Sequence, residues 1–367
     1  HRDLHSFPTR RSSDLKKMIL ALSPMDGVSD YPFRAITKKY GQPDVVFTEF
    51  ASVEGICRSR STKIFDHFDF DETQRPLVAQ IFGKTPAYFK QAAVLLCELG
   101  VDGIDLNMGC PAPTVANHGS GAAIIKNPSL AKELIKVVQE GIEEWRNGLR
   151  LEDCPDLSKQ IIKAVALKQK KFGLANVDRR KIPTVSVKTR IGFDDEEIDS
   201  WLPHLLEMRL AAISLHGRTL KQGYSGEADW QAIGRAAVLV KKTDPAVIFL
   251  GNGDIQNYEQ AQDKVTQYKV DGVLIGRASY GQPFVFLPAA VKEKLLREKN
   301  IFDIALEHAK LYETTYPPSE GYQFLPMRKH LAWYTKGIAQ AAFVRSELVR
   351  AVNASQVAVI MKKYQLI

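Results

Sequence analysis

The sequence contains no uninterrupted apolar segment of 18 or more residues, so none of it is suited to cross a lipid bilayer as a helix. Its first residues also lack the apolar centre of a secretory signal peptide. The cysteines are few, widely spaced and without a CxxC pair, which argues against a zinc site and a disulfide framework: Cys57, Cys97, Cys110 and Cys154. We therefore expect a cytoplasmic protein that binds no metal.

The 367 residues are 45% hydrophobic and 25% charged, which suits one large α/β domain followed by a smaller one. The net charge of +8 is concentrated in two segments. Residues 285–367 hold 12 Lys plus Arg against 7 Asp plus Glu, and residues 150–181 hold 9 against 4. Such segments are typical of proteins that bind polyanions, although two solvated helical faces would give the same pattern.

Short apolar segments rich in β-formers recur along the chain, mostly separated by the length of one βα unit. There are eight: Ile19–Met25, Val45–Phe50, Leu77–Gly83, Gly103–Cys110, Thr184–Arg190, Ala212–Arg218, Val247–Gly253 and Gly272–Arg277. Eight βα units predict a (β/α)8 TIM barrel, whose buried parallel strands are apolar throughout. The longer interval after the fourth strand holds a helix over 129–145 and a basic, helix-forming insertion at about 146–183.

The character of the chain changes after the eighth segment. Four amphipathic segments predict a small all-α helical bundle: Pro288–Lys299, Ile301–Thr314, Met327–Gln340 and Phe343–Tyr364. We assign residues 18–282 to the barrel and residues 283–367 to the helical domain. Residues 1–17 have no apolar periodicity, and we interpret them as a disordered leader or an artefact outside the fold.

Polar residues gather where the predicted strands end. A barrel brings those carboxyl ends to one mouth, where active sites are built. A doubly wound sheet would normally have a glycine-rich nucleotide turn after its first strand, whereas this chain has SPMDG at residues 23–27. The pattern therefore favours the barrel.

The segments after the last two strands predict a phosphate site. Asn252, Gly253 and Asp254 follow the seventh strand, and Gly276 and Arg277 follow the eighth. Glycines let backbone N–H groups approach phosphate oxygens, and an arginine adds a charged fork. Two ordinary turns are the alternative interpretation, but barrels often hold a phosphate at these two strands.

Other strand ends predict a ring-binding site. Lys188 and His216 end consecutive strands, and a lysine beside a bound flavin would stabilise the negative charge of its reduced form. Gln80 ends the third strand and has an amide that suits a flavin imide edge, while Pro24 and Met25 could pack against the ring. Each residue alone would more often be a packing or surface residue.

Cys110 lies in the tight segment Asn107-Met-Gly-Cys-Pro, which predicts a thiol presented at the mouth. A thiol with a pKa near ~8.5 is mostly protonated at neutral pH and can act as a general acid. A nucleophilic role is the rival, but the sequence shows no dedicated base partner. A free cysteine usually packs as a small buried apolar residue, and we assign that structural role to Cys57, Cys97 and Cys154.

These motifs resemble the tRNA-dihydrouridine synthase family from about residue 19 to 278, and the basic helical tail resembles its RNA-binding domain. The segments that carry the resemblance are LSPMDGVSD, TEF, VAQIFG, DLNMGCPAPTVANHGSGAAIIKNP, VKTRIGFDD, LHGRTLKQGYSGEADW, GNGDI and IGRA. The long NMGCP segment is highly specific, whereas GNGD and GRA occur in many flavin barrels. The insertion at 146–183 and the first fifteen residues depart from the family's pattern.

The resemblance implies an enzyme that reduces a D-loop uridine of tRNA, with FMN across the mouth and NADPH or NADH as electron donor. FMN would be held by Pro24, Met25, Gln80, Lys188, His216, Asn252, Gly253, Asp254, Gly276 and Arg277. Cys110 would protonate C5 of the uracil, and Asn107, Arg190 and Tyr224 would hold that base. We expect the protein to be a monomer. The target uridine of the tRNA would have to be flipped out of the folded RNA to reach the flavin.

Two other functions fit part of the sequence. A dihydroorotate dehydrogenase-like FMN barrel acting on a small pyrimidine would explain the phosphate turns and the lysine, but not the basic tail. A barrel that binds RNA without catalysis would contain no flavin and would not depend on Cys110 for its function.

Overall fold

The computed structural model describes residues 18–58, 61–174 and 177–367. The interpretation of residues 1–17 as a leader lies outside these residues. Within them, eight parallel strands pair in chain order and close into a barrel, β1 lying between β2 and β8. The strands are β1 Ile19–Leu22, β2 Val45–Ser52, β3 Leu77–Phe82, β4 Gly103–Met108, β5 Thr184–Arg190, β6 Ala212–His216, β7 Ile248–Asn252 and β8 Gly272–Ile275. The predicted TIM barrel is therefore confirmed.

The interior of the barrel is packed with apolar side chains along the strands and is open at their carboxyl ends. One apolar cluster combines residues from strands around the barrel, including Ala21, Val45, Phe47, Val78 and Leu250. A larger cluster packs the outward-facing strand residues against the surrounding helices. The carboxyl-terminal strand ends carry polar residues instead, so a cavity remains there.

The helices around the barrel form where a capping residue precedes a segment whose apolar residues recur with helical periodicity. In the longest, Asn127 accepts the Leu130 N–H at 3.1 Å, Pro128 occupies the first turn, and the face that includes Leu134 and Trp145 is buried. The helices are α1 Tyr31–Gly41, α2 Val53–Arg58, α3 Pro86–Leu99, α4 Pro113–Ala116, α5 Pro128–Arg146, α6 Lys159–Phe172, α7 Ile198–Leu206, α8 Trp230–Thr243 and α9 Tyr258–Tyr268. Short 3-10 helices lie at Thr62–Phe68, Glu72–Gln74, Gly121–Lys126, Leu151–Asp153, Arg277–Ser279, Pro283–Phe286 and Pro318–Glu320.

The basic insertion forms α6, and several of its charges are used inside the fold. Lys168 pairs with Asp66 at 2.8 Å and with Asp69. Lys171 donates to the Thr315 carbonyl of the helical domain at 3.2 Å. The insertion therefore braces the barrel against the helical domain, which explains part of its positive charge without a polyanionic partner.

The carboxyl-terminal domain is helical as predicted: α10 Ala289–Glu298, α11 Ile301–Thr315, α12 Leu325–Tyr334, α13 Ala341–Leu348 and α14 Ala354–Lys363. The prediction of a single helix over 343–364 is wrong, because Asn353 caps a new helix by accepting the Gln356 N–H at 2.8 Å. Ala351 is buried between the two helices, which keeps the apolar pattern continuous across the break. The helix predicted over 327–340 ends at Tyr334.

The helical domain has its own core and docks on α1 of the barrel. Lys39 and Tyr40 of α1 contact Glu307 of α11 at 2.6 and 2.5 Å. Ile36, Phe284 and Ile304 form an apolar contact between the two parts. Across the described ranges, no helix combines the length and hydropathy needed to cross a membrane.

Candidate active site

A cavity of about 740 Å³ occupies the mouth of the barrel at the carboxyl ends of the strands. Its wall includes every residue that the sequence nominated for a site, fourteen in all: Pro24, Met25, Gln80, Asn107, Cys110, Lys188, Arg190, His216, Tyr224, Asn252, Gly253, Asp254, Gly276 and Arg277. The structure thus brings them together, while the role of each residue stays a prediction. The sequence did not nominate Phe50 and Tyr280, which also line the cavity.

Cys110 lies on a turn that is fixed from both sides. The Asn107 side-chain oxygen accepts the N–H groups of Gly109 and Cys110 at 3.0 and 2.9 Å. Arg190 donates from Nε to the Gly109 carbonyl at 2.7 Å. Burial raises the pKa of the half-buried Cys110 thiol, so the thiol is protonated at neutral pH and has a proton to give.

Gly121 packs closely against the backbone of the Cys110 turn. Its φ of +60° is disfavoured for residues with a side chain, and a Cβ there would approach the Cys110 carbonyl oxygen to 2.9 Å. The Ala122 N–H donates to the same carbonyl at 3.2 Å. The glycine-rich continuation after Cys110 therefore supports the position of the thiol.

The remaining cysteines are buried away from the cavity wall. Burial raises the pKa of Cys57 to about 12 and that of Cys154 to about 11. Cys97 is buried within α3, where its pKa is also raised. These surroundings agree with the structural role expected for all three cysteines.

Arg190 holds the backbone around the mouth in place through its hydrogen bonds. Besides Gly109, it donates from Nη1 to the carbonyls of Thr219 and Gly223, both at 2.9 Å. Burial lowers its pKa to about 10, so it keeps its charge at neutral pH. These bonds tie the Cys110 turn to the loop that carries Tyr224, a residue that is 63% exposed.

A polar layer beneath the cavity orients two predicted site residues. Gln80 donates to Asp105 at 2.7 Å, and Asn107 donates to the side-chain oxygen Oε1 of Gln80 at 3.1 Å. Ser186 donates to the other Asp105 oxygen at 2.6 Å. Burial raises the Asp105 pKa to about 6. Sequence reasoning missed Asp105, although a carboxylate inside the apolar strand β4 was a usable signal.

Lys188 presents a buried amine to the cavity, and the negative charge of Asp105 lies near enough to act on its pKa. Among the described residues, no hydrogen bond or ion pair engages its Nζ, although buried ammonium groups are normally paired. Burial, assisted by the nearby Arg190, lowers the pKa of Lys188 to about 8, so it stays mostly charged at neutral pH. The geometry therefore suits a ligand that brings an acceptor or a negative charge.

His216 contributes a neutral ring to the same wall. Its Nε2 lies 3.3 Å from Nη1 of Arg218. Burial is the main cause that holds its pKa well below the usual value, and the cations Lys188, Arg190 and Arg218 add to the effect. A neutral imidazole can exchange hydrogen bonds with a ligand without adding charge.

The turns after β7 and β8 offer free backbone donors. Within the described residues, the N–H groups of Gly253, Asp254 and Gly276 have no hydrogen-bond partner. Gly253 has a φ of +134°, and a Cβ there would come within 2.4 Å of the Ala228 Cβ. Free N–H groups beside the half-exposed Arg277 are the elements of an anion site.

Asp254 supports this anion site from the side. Its carboxylate accepts from Arg218 at 2.6 Å, from the Ala228 N–H at 2.8 Å and from Arg277 at 3.1 Å. Arg218 is buried and also donates to the Gly226 carbonyl at 2.6 Å. Sequence reasoning missed Arg218, although the arginine of the LHGR segment was the signal. Asp254 thus orients Arg277, whatever else it contacts.

Comparisons with known proteins cover a family model, curated sequences and solved structures. The family described as dihydrouridine synthase (Dus) matches residues 20–151 and 147–365. A probable tRNA-dihydrouridine synthase of Staphylococcus aureus (strain COL) is 30% identical over 358 residues, covering 96% of this chain and 95% of that protein. A probable tRNA-dihydrouridine synthase 2 of Bacillus subtilis (strain 168) is 29% identical over 354 residues, with the same coverage. The crystal structure of DHODH in complex with ferulenol from Eimeria tenella matches with a TM-score of 0.39 and 15% identity, covering 64% of this chain and 62% of that one.

Proposed function

The chain belongs to the dihydrouridine synthase family, and we propose that it reduces the C5–C6 double bond of a D-loop uridine in tRNA. One observation carries the proposal. The protonated Cys110 thiol, the unpaired Lys188 amine and the free N–H groups at Gly253 and Gly276 share one cavity. A proton donor, a cation and an anion cradle at one rim are what a flavin-dependent reduction requires.

The residues of the mouth fit FMN. The N–H groups of Gly253 and Gly276, with Arg277, would hold its phosphate, since they have donors to spare. Lys188 would stand beside the pyrimidine part of the ring, where an ammonium stabilises negative charge. When bound, FMN would supply hydride chemistry for C6 of the uracil, with NADPH or NADH as the source of electrons.

Further residues complete the cofactor side of the proposed site. Gln80 is held by Asp105 and Asn107 in an orientation that suits an imide edge. Neutral His216 and Asn252 line the same wall, and Pro24 and Met25 close it from β1. Asp254 takes part by fixing Arg277 through the 3.1 Å contact.

On the substrate side, Cys110 protonates C5 of the uracil from its Sγ. The rigid turn made by Asn107 and Arg190 fixes the direction of that proton transfer. Asn107, Arg190 and the exposed Tyr224 form the part of the wall that would hold the base. The uridine has to leave the folded RNA to reach this cavity, as bases do in other enzymes that modify them.

The helical domain would carry the RNA. Residues 285–367 have 12 Lys plus Arg against 7 Asp plus Glu, and α10 exposes Lys294 and Arg297. Basic helices beside the mouth would recognise RNA by its shape and phosphates. We further propose that the enzyme acts as a monomer in the cytoplasm, where its four free thiols stay reduced.

The test uses purified protein, tRNA lacking dihydrouridine, and either NADPH or NADH. A flavin absorbance band and electron-donor-dependent loss of a uridine double bond in the tRNA are expected. Free uridine is the control substrate, and it should react far more slowly because it lacks the basic helices' contacts. The proposal would be overturned if the purified protein bound no flavin, or if it reduced a free pyrimidine faster than tRNA.

A further inference from the structure

Arg218 contacts two residues of the cavity wall, His216 and Asp254, without lining the cavity itself. Its guanidinium group is buried, and its planar fork is held at several points. Nε donates to the Ser225 carbonyl at 3.2 Å, and Nη2 donates to the Gly226 carbonyl and to Asp254, both at 2.6 Å. These three bonds fix the plane of the guanidinium and therefore the direction in which Nη1 donates.

The contact between Arg218 and His216 determines where the imidazole carries its hydrogen. Nη1 lies 3.3 Å from Nε2 of His216, and an arginine has only donors, so Nε2 must be the acceptor. Burial, with the cations Lys188, Arg190 and Arg218, holds the pKa of His216 well below its usual value, so the ring is neutral at pH 7. In a neutral imidazole one nitrogen accepts and the other carries the hydrogen. The hydrogen of His216 therefore lies on Nδ1.

The packing of the ring agrees with this assignment. A Cβ at Gly253 would lie 3.3 Å from Cδ2 and 3.5 Å from Nε2 of His216, so this edge of the ring faces the turn after β7. Nδ1 lies on the other side of the ring, and within the described part of the chain no hydrogen bond engages it. Because His216 lines the mouth, the Nδ1–H group is available to a ligand there.

We infer that Arg218 is a positioning residue that holds His216 as the Nδ1–H tautomer, so that the ring donates a hydrogen bond to an oxygen of bound FMN. The inference rests on the proposed function, because FMN is the ligand that the proposed function assigns to this wall. A neutral N–H donor suits a phosphate or carbonyl oxygen, whereas the other tautomer would present a lone pair to that oxygen. Arg218 acts through His216, since it does not line the cavity.

The first test identifies the tautomer directly. Nitrogen NMR of the flavin-loaded enzyme with isotope-labelled histidine rings distinguishes a protonated ring nitrogen from one with a free lone pair. The signal that is missing from His216→Asn identifies the residue. The wild type should be protonated at Nδ1, and protonation at Nε2 would overturn the inference. The wild-type spectrum decides this point, so the test does not depend on a variant that folds.

Variants of two arginines extend the same measurement. Arg218→Met removes the donor to Nε2, so the His216 signal should shift toward the Nε2–H tautomer. Arg235→Met is the matched control, because it removes an exposed arginine of α8 that pairs with Glu196, and its His216 signal should match the wild type. An unchanged Nδ1–H tautomer in Arg218→Met would overturn the role of Arg218.

The second test measures whether Arg218 acts through His216. Fluorescence titration gives the FMN affinity of the wild type, His216→Ala, Arg218→Met and the double variant. His216→Ala should weaken binding about tenfold, as expected for one hydrogen bond to a charged group. In the Arg218→Met background the same change should cost less than about twofold, because His216 no longer presents its donor. Equal costs in the two backgrounds would overturn the inference.

The two tests separate this inference from the proposed function. An enzyme that passes both tests but forms no dihydrouridine in tRNA would defeat the proposed function and support the role of Arg218. Dihydrouridine formation by a wild type whose His216 is protonated at Nε2 would support the proposed function and overturn the inference. The two failures are therefore distinguishable.

Discussion

Replacing Cys110 with alanine is expected to separate the two halves of the proposed reaction. The substitution removes the proton donor but keeps the Cβ, and the bonds from Asn107 to the Gly109 and Cys110 N–H groups involve backbone donors. The turn and the flavin site should therefore survive. Burial raises the thiol pKa, so at pH 7 the wild type presents a full proton at this position.

The expected loss follows from what a positioned general acid contributes. Such groups accelerate proton transfer by about 10²–10⁴-fold, which corresponds to roughly 3–5 kcal/mol in the barrier. Oxidation of the reduced flavin by tRNA should slow by that factor in Cys110→Ala. Reduction of the flavin by NADPH should change less than about twofold, because Cys110 takes no part in it.

Two-phase stopped-flow absorbance of the flavin provides the assay, since it follows reduction and reoxidation in separate mixes. Cys154→Ala is the matched control, because that thiol lies in the insertion and is absent from the cavity wall. Reoxidation of Cys110→Ala within about fivefold of the wild-type rate would refute the assignment of the proton donor.

Three further outcomes are expected. Raising the pH through about 8 should weaken FMN binding by up to about tenfold per pH unit, because Lys188 is charged below its lowered pKa of about 8 and neutral above it. Fluorescence titration should show this slope, and Lys188→Met should abolish it; a flat wild-type profile would count against a lysine at the flavin. Gly121→Ala should lower the free energy of unfolding by more than about 1 kcal/mol, since its φ is +60° and its Cβ would meet the Cys110 carbonyl. Urea unfolding of Gly119→Ala, which has a φ of +77° but meets only Lys84, provides the comparison, and equal losses would contradict the clash. Binding of tRNA should weaken at least about tenfold between roughly 50 and 200 mM salt, because Lys and Arg contacts release counterions, and a salt-independent affinity in a filter-binding assay would contradict docking on the basic helices.

The sequence predicted the barrel well because its signals are local and repeated. Each strand is an apolar segment that ends in polar residues, and a closed parallel barrel gathers all such ends at one rim. Cys110 and Gly276, 166 positions apart in the sequence, could thus be placed in one cavity without coordinates. The helical domain was harder, since Ala351 continues the apolar period across the break before α14.

The sequence did not show which groups the polar side chains of the site would contact. Arg190 was nominated to hold the base, yet three of its hydrogen bonds go to backbone carbonyls that shape the mouth. Asp254 is likewise engaged by Arg218 and Arg277. Such pairings depend on side-chain directions and on loops that meet only in three dimensions. The charge of the basic insertion was difficult to interpret for the same reason, because Lys168 pairs with Asp66 and Asp69, which lie about 100 positions earlier in the sequence.

The central claim is that this mouth reduces a uridine of tRNA, and mass-spectrometric mapping of treated tRNA tests it most directly. Substrate tRNA lacking dihydrouridine would be incubated with the flavin-loaded enzyme and NADPH, then digested and sequenced by mass. The account predicts a gain of two hydrogen atoms at a uridine of the D-loop, absent when NADPH is omitted. Unmodified tRNA beside an enzyme whose flavin is fully reduced by NADPH would contradict it.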